Sequence, residues 1–341
     1  MTDALNQLLK ATSRSFYLTL RVLPAAVRPQ IGLAYLLART TDTIADTEIL
    51  PVAQRLEALQ KLRERILGQT SAPLNFGELA QKQNLSAEKL LLEKVEDALA
   101  LLQTLSAADL KLVCEVLTTI TSGQELDLRR FANASAQNVV ALETAAELDD
   151  YTYRVAGCVG EFWTKICRAH LFPNARLDEK QFVTDGICFG KGLQLVNILR
   201  DLPADLKTGR CYLPTQRLDE AKLFPEMLLS PANAQKFLPL YHDYLDQAES
   251  HLAAGWRYTN TLPFGQFRVR LACAWPILLG VKTIEKLRVA NVIELQQRVK
   301  VSRGEVRQII FRSLVCSPLP SAWRKLYLPS AKAVDSGGEL A

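Results

Sequence analysis

Apolar side chains recur along this chain at intervals of three and four. Across Val52–Leu67, Leu56, Leu59, Leu62 and Ile66 fall on one helical face, and Leu90–Leu102, Leu110–Ile120 and Ile284–Leu295 repeat the pattern. The alternation expected of strands is nearly absent. Loop signals rich in Gly, Pro, Asn and Ser interrupt the helical runs at Gly68–Phe76, Phe172–Leu177, Thr208–Leu213, Leu223–Pro231 and Leu262–Gly265. No repeat of solenoid period and no Pro/Ser-rich linker divides the chain. The pattern predicts one all-α domain over residues 1–315, followed by a small, polar and partly disordered tail over 316–341.

Two stretches are more apolar than a surface helix needs. Ile31–Ala38 is almost entirely hydrophobic, and Gly190–Leu199 carries only Lys191, Gln194 and Asn197 as polar residues. Helices apolar on most faces belong in the middle of a bundle. Each of these runs leads into a pair of aspartates four residues apart, Asp42/Asp46 and Asp201/Asp205. On a helix that spacing stacks both carboxylates on one face. Acids on central helices are costly unless paired or metal-bound. Arg39 precedes the first pair and Arg200 the second. Acids with arginines suit Mg²⁺ bridging protein to a polyphosphate, and plain ion pairing of each arginine with its neighbouring aspartate is compatible with the same site. The spacing alone is what composition delivers by chance, so the flanking residues carry the argument. Pro203 lies inside the second motif and removes the amide that would bond the Leu199 carbonyl. The helix is therefore expected to kink or end there, with Asp205 on an irregular turn.

Composition narrows the function classes. Hydrophobic residues make up 48% of the chain, enough for a substantial core, and the net charge is +5 with bases and acids interspersed. That distribution argues against nucleic-acid binding. Seven scattered cysteines without a Cys-x-x-Cys favour a reducing compartment and argue against zinc. His170, His242 and His251 form no ligand spacing. The start of the chain lacks a secretory pattern, and no stretch is long and apolar enough to cross a bilayer. The expectation is a cytoplasmic, monomeric protein without a transmembrane anchor.

The segments TSRSFYLTLRVLP (Thr12–Pro24), YLLARTTDTIAD (Tyr35–Asp46), DDYTYRVAGCVGEFW (Asp149–Trp163) and GLQLVNILRDLPAD (Gly192–Asp205) occur in this order. Together they resemble the squalene/phytoene synthase family of head-to-head prenyl synthases, over nearly the whole chain. The resemblance implies a single-domain bundle of the isoprenoid synthase type with a central cavity. It implies prenyl diphosphate substrates, Mg²⁺ held by Asp42, Asp46, Asp201 and Asp205, and catalytic roles for Asp42, Asp201, Arg39, Arg200 and Tyr151. Ser13, Arg14, Ser15, Phe16, Tyr35, Gln194, Asn197 and Arg210 match substrate-side positions. Read without the family, Ser13 or Ser15 is a helix N-cap, and Tyr151 a core tyrosine with a tethered hydroxyl. Gly157 and Gly160 permit close approach of helices or of substrate.

Within the family, squalene synthases use NADPH and phytoene synthases do not. RVKVSRGEVRQII (Arg298–Ile310) looks like the squalene branch's nucleotide segment, with Lys300 and Arg303 at basic positions. Ser302 stands where another base is usual, and Arg270 where an aromatic is expected. The favoured reading is condensation of two farnesyl diphosphates through presqualene diphosphate to squalene. Behind it stand 15-cis-phytoene synthesis from geranylgeranyl diphosphate, dehydrosqualene or presqualene diphosphate synthesis, and a non-catalytic assembly factor of the same fold. No Gly-x-Gly-x-x-Gly occurs, so nucleotide binding would not be of the Rossmann type. An apolar product suggests peripheral contact with a membrane for its release.

Overall fold

Helices occupy 74% of the described residues, as the three- and four-residue spacing of the chain's leucines predicts. The computed structural model describes residues 3–13, 16–290, 293 and 298–327. Backbone contacts divide it into two compact units.

The first unit runs to Ala132 and also takes Phe162–Asn174. It contains α1 (Asp3–Thr12), α2 (Phe16–Val22), α3 (Arg28–Ala45), α4 (Val52–Ile66), α5 (Gly77–Gln81), α6 (Ser86–Glu93), α7 (Val95–Leu102) and α8 (Ala107–Arg130). Proline in its first turn starts α3. That helix packs against α4, α6, α7 and α8, so it buries residues on most of its faces, among them Ile31, Leu33, Leu36, Leu37 and Ile44. The hydroxyl of Ser106 accepts the Asp109 amide at 3.1 Å and caps α8. The Asp109 carboxylate then accepts from Gln30 at 3.1 Å and lies 2.8 Å from His170 Nε2, tying α8 to α3 and to the returning segment.

The second unit holds α9 (Ala145–Thr152), a π-helical turn (Tyr153–Gly157), the first residues of α10 (Cys158–Leu171), α11 (Glu179–Lys207), α12 (Thr215–Glu220), α13 (Ala234–Thr261), α14 (Phe267–Val289), α15 (Arg303–Cys316) and α16 (Pro320–Arg324). Two short parallel strands, β1 (Val140–Ala141) and β2 (Arg210–Cys211), pair Val140 with Arg210. The long helix α11 packs along α13 and against the π-helical turn. Glycine makes that approach possible. A Cβ on Gly160 would stand 1.9 Å from the Gly186 carbonyl oxygen, and one on Gly190 2.2 Å from that of Ala156. Helix packing therefore accounts for Gly160.

Four expectations need correction. The helix predicted over Leu90–Leu102 is broken at Lys94 into α6 and α7, and nothing in the local sequence explains the break. The one predicted over Ile284–Leu295 stops at Val289, where Ala290 turns extended ahead of asparagine and β-branched valine, poor helix formers. α11 does not end at Pro203 but continues to Lys207, with Asp205 inside it. The Leu199 carbonyl, which Pro203 leaves without its amide donor, accepts the buried hydroxyl of Tyr241 at 3.0 Å instead. Finally, packed structure continues beyond residue 315. Trp323 is 1% exposed, stacks on Trp256 at 5.4 Å and lies under the Arg270 guanidinium at 4.8 Å. The arginine found at an aromatic position thus helps pin α16 through a cation–π contact.

Candidate active site

The first acidic pair closes α3. Asp42 lies in its last turn and Asp46 is its C-cap, the Asp46 amide bonding the Asp42 carbonyl at 2.8 Å. No basic residue occupies that last turn. Arg39 reaches Asp42 only at 3.7 Å and spends its shorter contact, 2.6 Å, on Glu88. Gln124 from α8 donates to Asp42 Oδ1. The Asp42 side chain is 45% exposed, so water reaches it, yet surrounding protein crowds the carboxylate. Desolvation and the charge of Asp46 push it up to about 6, against the opposing pull of Arg39 and Gln124. Tyr35 points its hydroxyl at the Thr12 carbonyl, 3.3 Å away. Ser13 does not cap α2: its hydroxyl donates back to the Leu9 carbonyl of α1. Phe16 opens α2, and Arg14 and Ser15 lie outside the described residues.

The second pair sits near the end of α11, with Asp205 in its final turn. Here the arginines are closer. Arg200 grips Asp201 with both arms, Nε to Oδ1 at 3.0 Å and one terminal nitrogen to Oδ2 at 2.9 Å. Arg298, from the stretch preceding α15, donates to the same Oδ2. Sequence reasoning missed Arg298, because nothing local marks an arginine 97 residues away as a partner of Asp201. One turn and two turns back along the helix, Asn197 and Gln194 are 3.5 Å apart. Tyr151 is buried at the end of α9 and stacks on Tyr212, ring centres 4.8 Å apart. The π-helical turn that follows is a feature often found at functional sites and was not legible in the sequence. Arg210 stands on β2 opposite Val140.

The nucleotide segment looks different from its expectation. Ser302 is the N-cap of α15 in a full capping box with Glu305. Lys300 is exposed and offers its carbonyl to Lys286 at 3.1 Å, while Arg303 is exposed at the first position of α15. The serine at the missing basic position thus has a structural task.

Both acidic pairs lie toward the carboxyl ends of their helices, with Asp42, Asp46 and Asp205 in the last turn or cap and Asp201 one turn further in. Partial negative charge accumulates there, so acids are disfavoured. Among the described residues no group of three or more His, Cys, Asp or Glu side chains forms a metal nest. Two carboxylates on a helix end are nonetheless a donor set that suits Mg²⁺, which commonly takes one or two carboxylates and completes its shell with water and phosphate oxygens.

A sequence model of the squalene/phytoene synthase family matches residues 9–305. The chain belongs to that family. Squalene synthase of Schizosaccharomyces pombe is 25% identical over 310 residues, covering 90% of this chain and 64% of that protein. A bifunctional lycopene cyclase/phytoene synthase of Arthroderma gypseum is 27% identical over 253 residues, 71% of this chain and 39% of that one. The chain thus spans less than two thirds of these relatives' length. Among solved structures, TcSQS in complex with a ligand superposes with a TM-score of 0.76 at 19% identity, over 98% of this chain and 96% of that one, which shows a shared fold.

Proposed function

We propose that this protein is a prenyltransferase that joins two prenyl diphosphates head to head. The observation that carries the reading is the placement of two acid pairs in the closing turns of largely apolar helices, each with a guanidinium beside it. Asp42, Asp46, Asp201 and Asp205 would hold Mg²⁺, which when bound supplies positive charge to the departing diphosphate. The rest falls to the chain's own groups. Arg39, Arg200, Arg298 and Arg210 supply donors to phosphate oxygens as the allylic C–O bond breaks. Gln194 and Asn197 orient the same diphosphate from the α11 face. The stacked rings of Tyr151 and Tyr212 would offer π density to the allylic cation, and the Tyr151 hydroxyl would take part in proton movement.

Within this class we favour farnesyl diphosphate as substrate, presqualene diphosphate as intermediate and squalene as product, with NADPH bound through Lys300 and Arg303. Support comes from the first relative's being a squalene synthase and from the exposure of both basic side chains. The capping role of Ser302 favours a second reading, in which no nucleotide is used and the product is phytoene, dehydrosqualene or presqualene diphosphate. Incubation with farnesyl or geranylgeranyl diphosphate and Mg²⁺, with and without NADPH, separates the two by product mass. Squalene appearing only with NADPH supports the first; a product pattern indifferent to the nucleotide supports the second.

A further inference from the structure

α8 packs against α3 and α4 through a buried stripe that includes Val113, Leu117, Ile120, Thr121, Gln124 and Leu128. Two of these are polar. Thr121 is satisfied within the helix, its hydroxyl donating to the Leu117 carbonyl at 2.8 Å. Gln124 is not. It is 8% exposed, and its amide nitrogen donates to Asp42 Oδ1. Its Oε1 is buried and meets no donor among the described residues. A leucine would fill the same stripe without stranding an oxygen, so the amide calls for a reason.

An unpaired amide oxygen alone is not a site. Gln30 also bonds a buried carboxylate through its nitrogen, that of Asp109 at 3.1 Å, and also leaves Oε1 unpaired. There the acid stands by itself and is served by the His170 imidazole at 2.8 Å, which makes a closed structural tie. Asp42 is served less well. Asp46 adds a second carboxylate four residues on, and Arg39 lies 3.7 Å from Asp42 but 2.6 Å from Glu88. Mg²⁺ demands octahedral oxygen ligands, of which a carboxylate pair supplies one or two. A glutamine carboxamide carries an acceptor oxygen beside its donor nitrogen. Rotation about its last bond is roughly two-fold, so the two atoms exchange places at little torsional cost. Facing a bare carboxylate, the N–H is the favoured end; facing a cation, the oxygen is. We propose that Gln124 is a protein ligand of the first cation site, its carboxamide turning over to give Oε1 to the Mg²⁺ held by Asp42 and Asp46. The inference rests on the reading of that acid pair as a Mg²⁺ site and adds to it a neutral oxygen from α8.

Mn²⁺, which suits the same oxygen donors, makes the ligand visible without substrate or turnover. The full chain is prepared with Asp201→Ala and Asp205→Ala, so that only the first pair remains, and with glutamine labelled by ¹³C in its side-chain carboxamide. Electron–nuclear double resonance of the bound Mn²⁺ should show a strongly coupled ¹³C. That signal needs no substitution at residue 124, so it stands even if a variant there misfolds. Gln124→Leu should abolish it and raise the Mn²⁺ dissociation constant at least about tenfold. Gln124→Glu keeps an oxygen but cannot donate to Asp42, and should bind Mn²⁺ at least as tightly as the parent chain. A glutamine that only donates to Asp42 gives no strong ¹³C coupling, and its replacement by glutamate weakens binding. Either result overturns the proposal and leaves the acid pair's role intact. Absence of Mn²⁺ binding, or binding that Asp42→Ala does not change, overturns the Mg²⁺ reading together with it.

Discussion

Tyr241→Phe removes one oxygen from a fully buried side chain and leaves its ring in place. In the native protein that oxygen donates to the Leu199 carbonyl at 3.0 Å. Ordinarily the amide four residues on would serve this carbonyl, but residue 203 is proline and has none. The variant therefore strands a buried backbone acceptor, at a cost of about 1–3 kcal/mol, rather than losing an average hydrogen bond. Urea unfolding followed by circular dichroism measures the loss. The second half of the experiment isolates the cause. Pro203→Ala restores an amide facing Leu199, so the same Tyr241→Phe change should cost at least about 0.5 kcal/mol less in that background. Equal costs in both backgrounds would show that the hydroxyl is not substituting for the missing amide. Because Asp201 and Asp205 flank Pro203, the single variant should also lower turnover, and Pro203→Ala should partly restore it.

Three further outcomes follow from particular contacts. Asp46→Asn removes a charge from the negative end of α3 and should raise stability without divalent cations by about 0.3–1 kcal/mol, read as an upward shift in melting temperature, while turnover falls. Burial opposes ionisation of Asp109, but hydrogen bonds from His170 and Gln30 outweigh it and hold the carboxyl below its ordinary value. Its folded value is the depressed one, so its contribution is full above about pH 4 and lost as pH falls through the folded value. The stability gap between wild type and Asp109→Asn in urea should close accordingly; a gap constant from neutrality to strongly acidic pH would refute this. Arg298→Ala removes one of two guanidiniums on Asp201. It should lower the Mg²⁺ concentration for half-maximal activity by up to about fivefold, the scale of a half-exposed ion pair of about 0.2–1 kcal/mol.

Much of the fold was legible because it rests on local patterning. Leu56, Leu59, Leu62 and Ile66 announce α4, whose structural bounds, Val52–Ile66, fall within one residue of the periodic run. The apolar excess of Ile31–Ala38 identified the helix that α4, α6, α7 and α8 surround. What the sequence hid depends on partners distant in the chain. Pro203 reads as a helix breaker because Tyr241, 42 residues from Leu199, is invisible to a local argument. Arg270 reads as an anomaly until Trp323 is found beneath it. Ser302 reads as a lost charge, although Ser-x-x-Glu before an apolar run is a capping signal that was there to be used. For the site, the acids and Arg200 could be picked out by motif. Their position toward the helix carboxyl ends required knowing where α3 and α11 stop. The split of Arg39 between Asp42 and Glu88 likewise had no sequence signal.

The claim that the acidic pairs carry the chemistry is tested most directly by the release of inorganic diphosphate from farnesyl diphosphate. The wild-type protein should release it only with a divalent cation, losing activity in EDTA and regaining it with Mg²⁺. Asp42→Ala and Asp201→Ala should each keep the helical circular dichroism and lose turnover by at least about 10²-fold, the scale expected when charge stabilisation at the leaving group is removed. Near-wild-type release by either variant at saturating Mg²⁺, or full release after exhaustive chelation, would contradict the account.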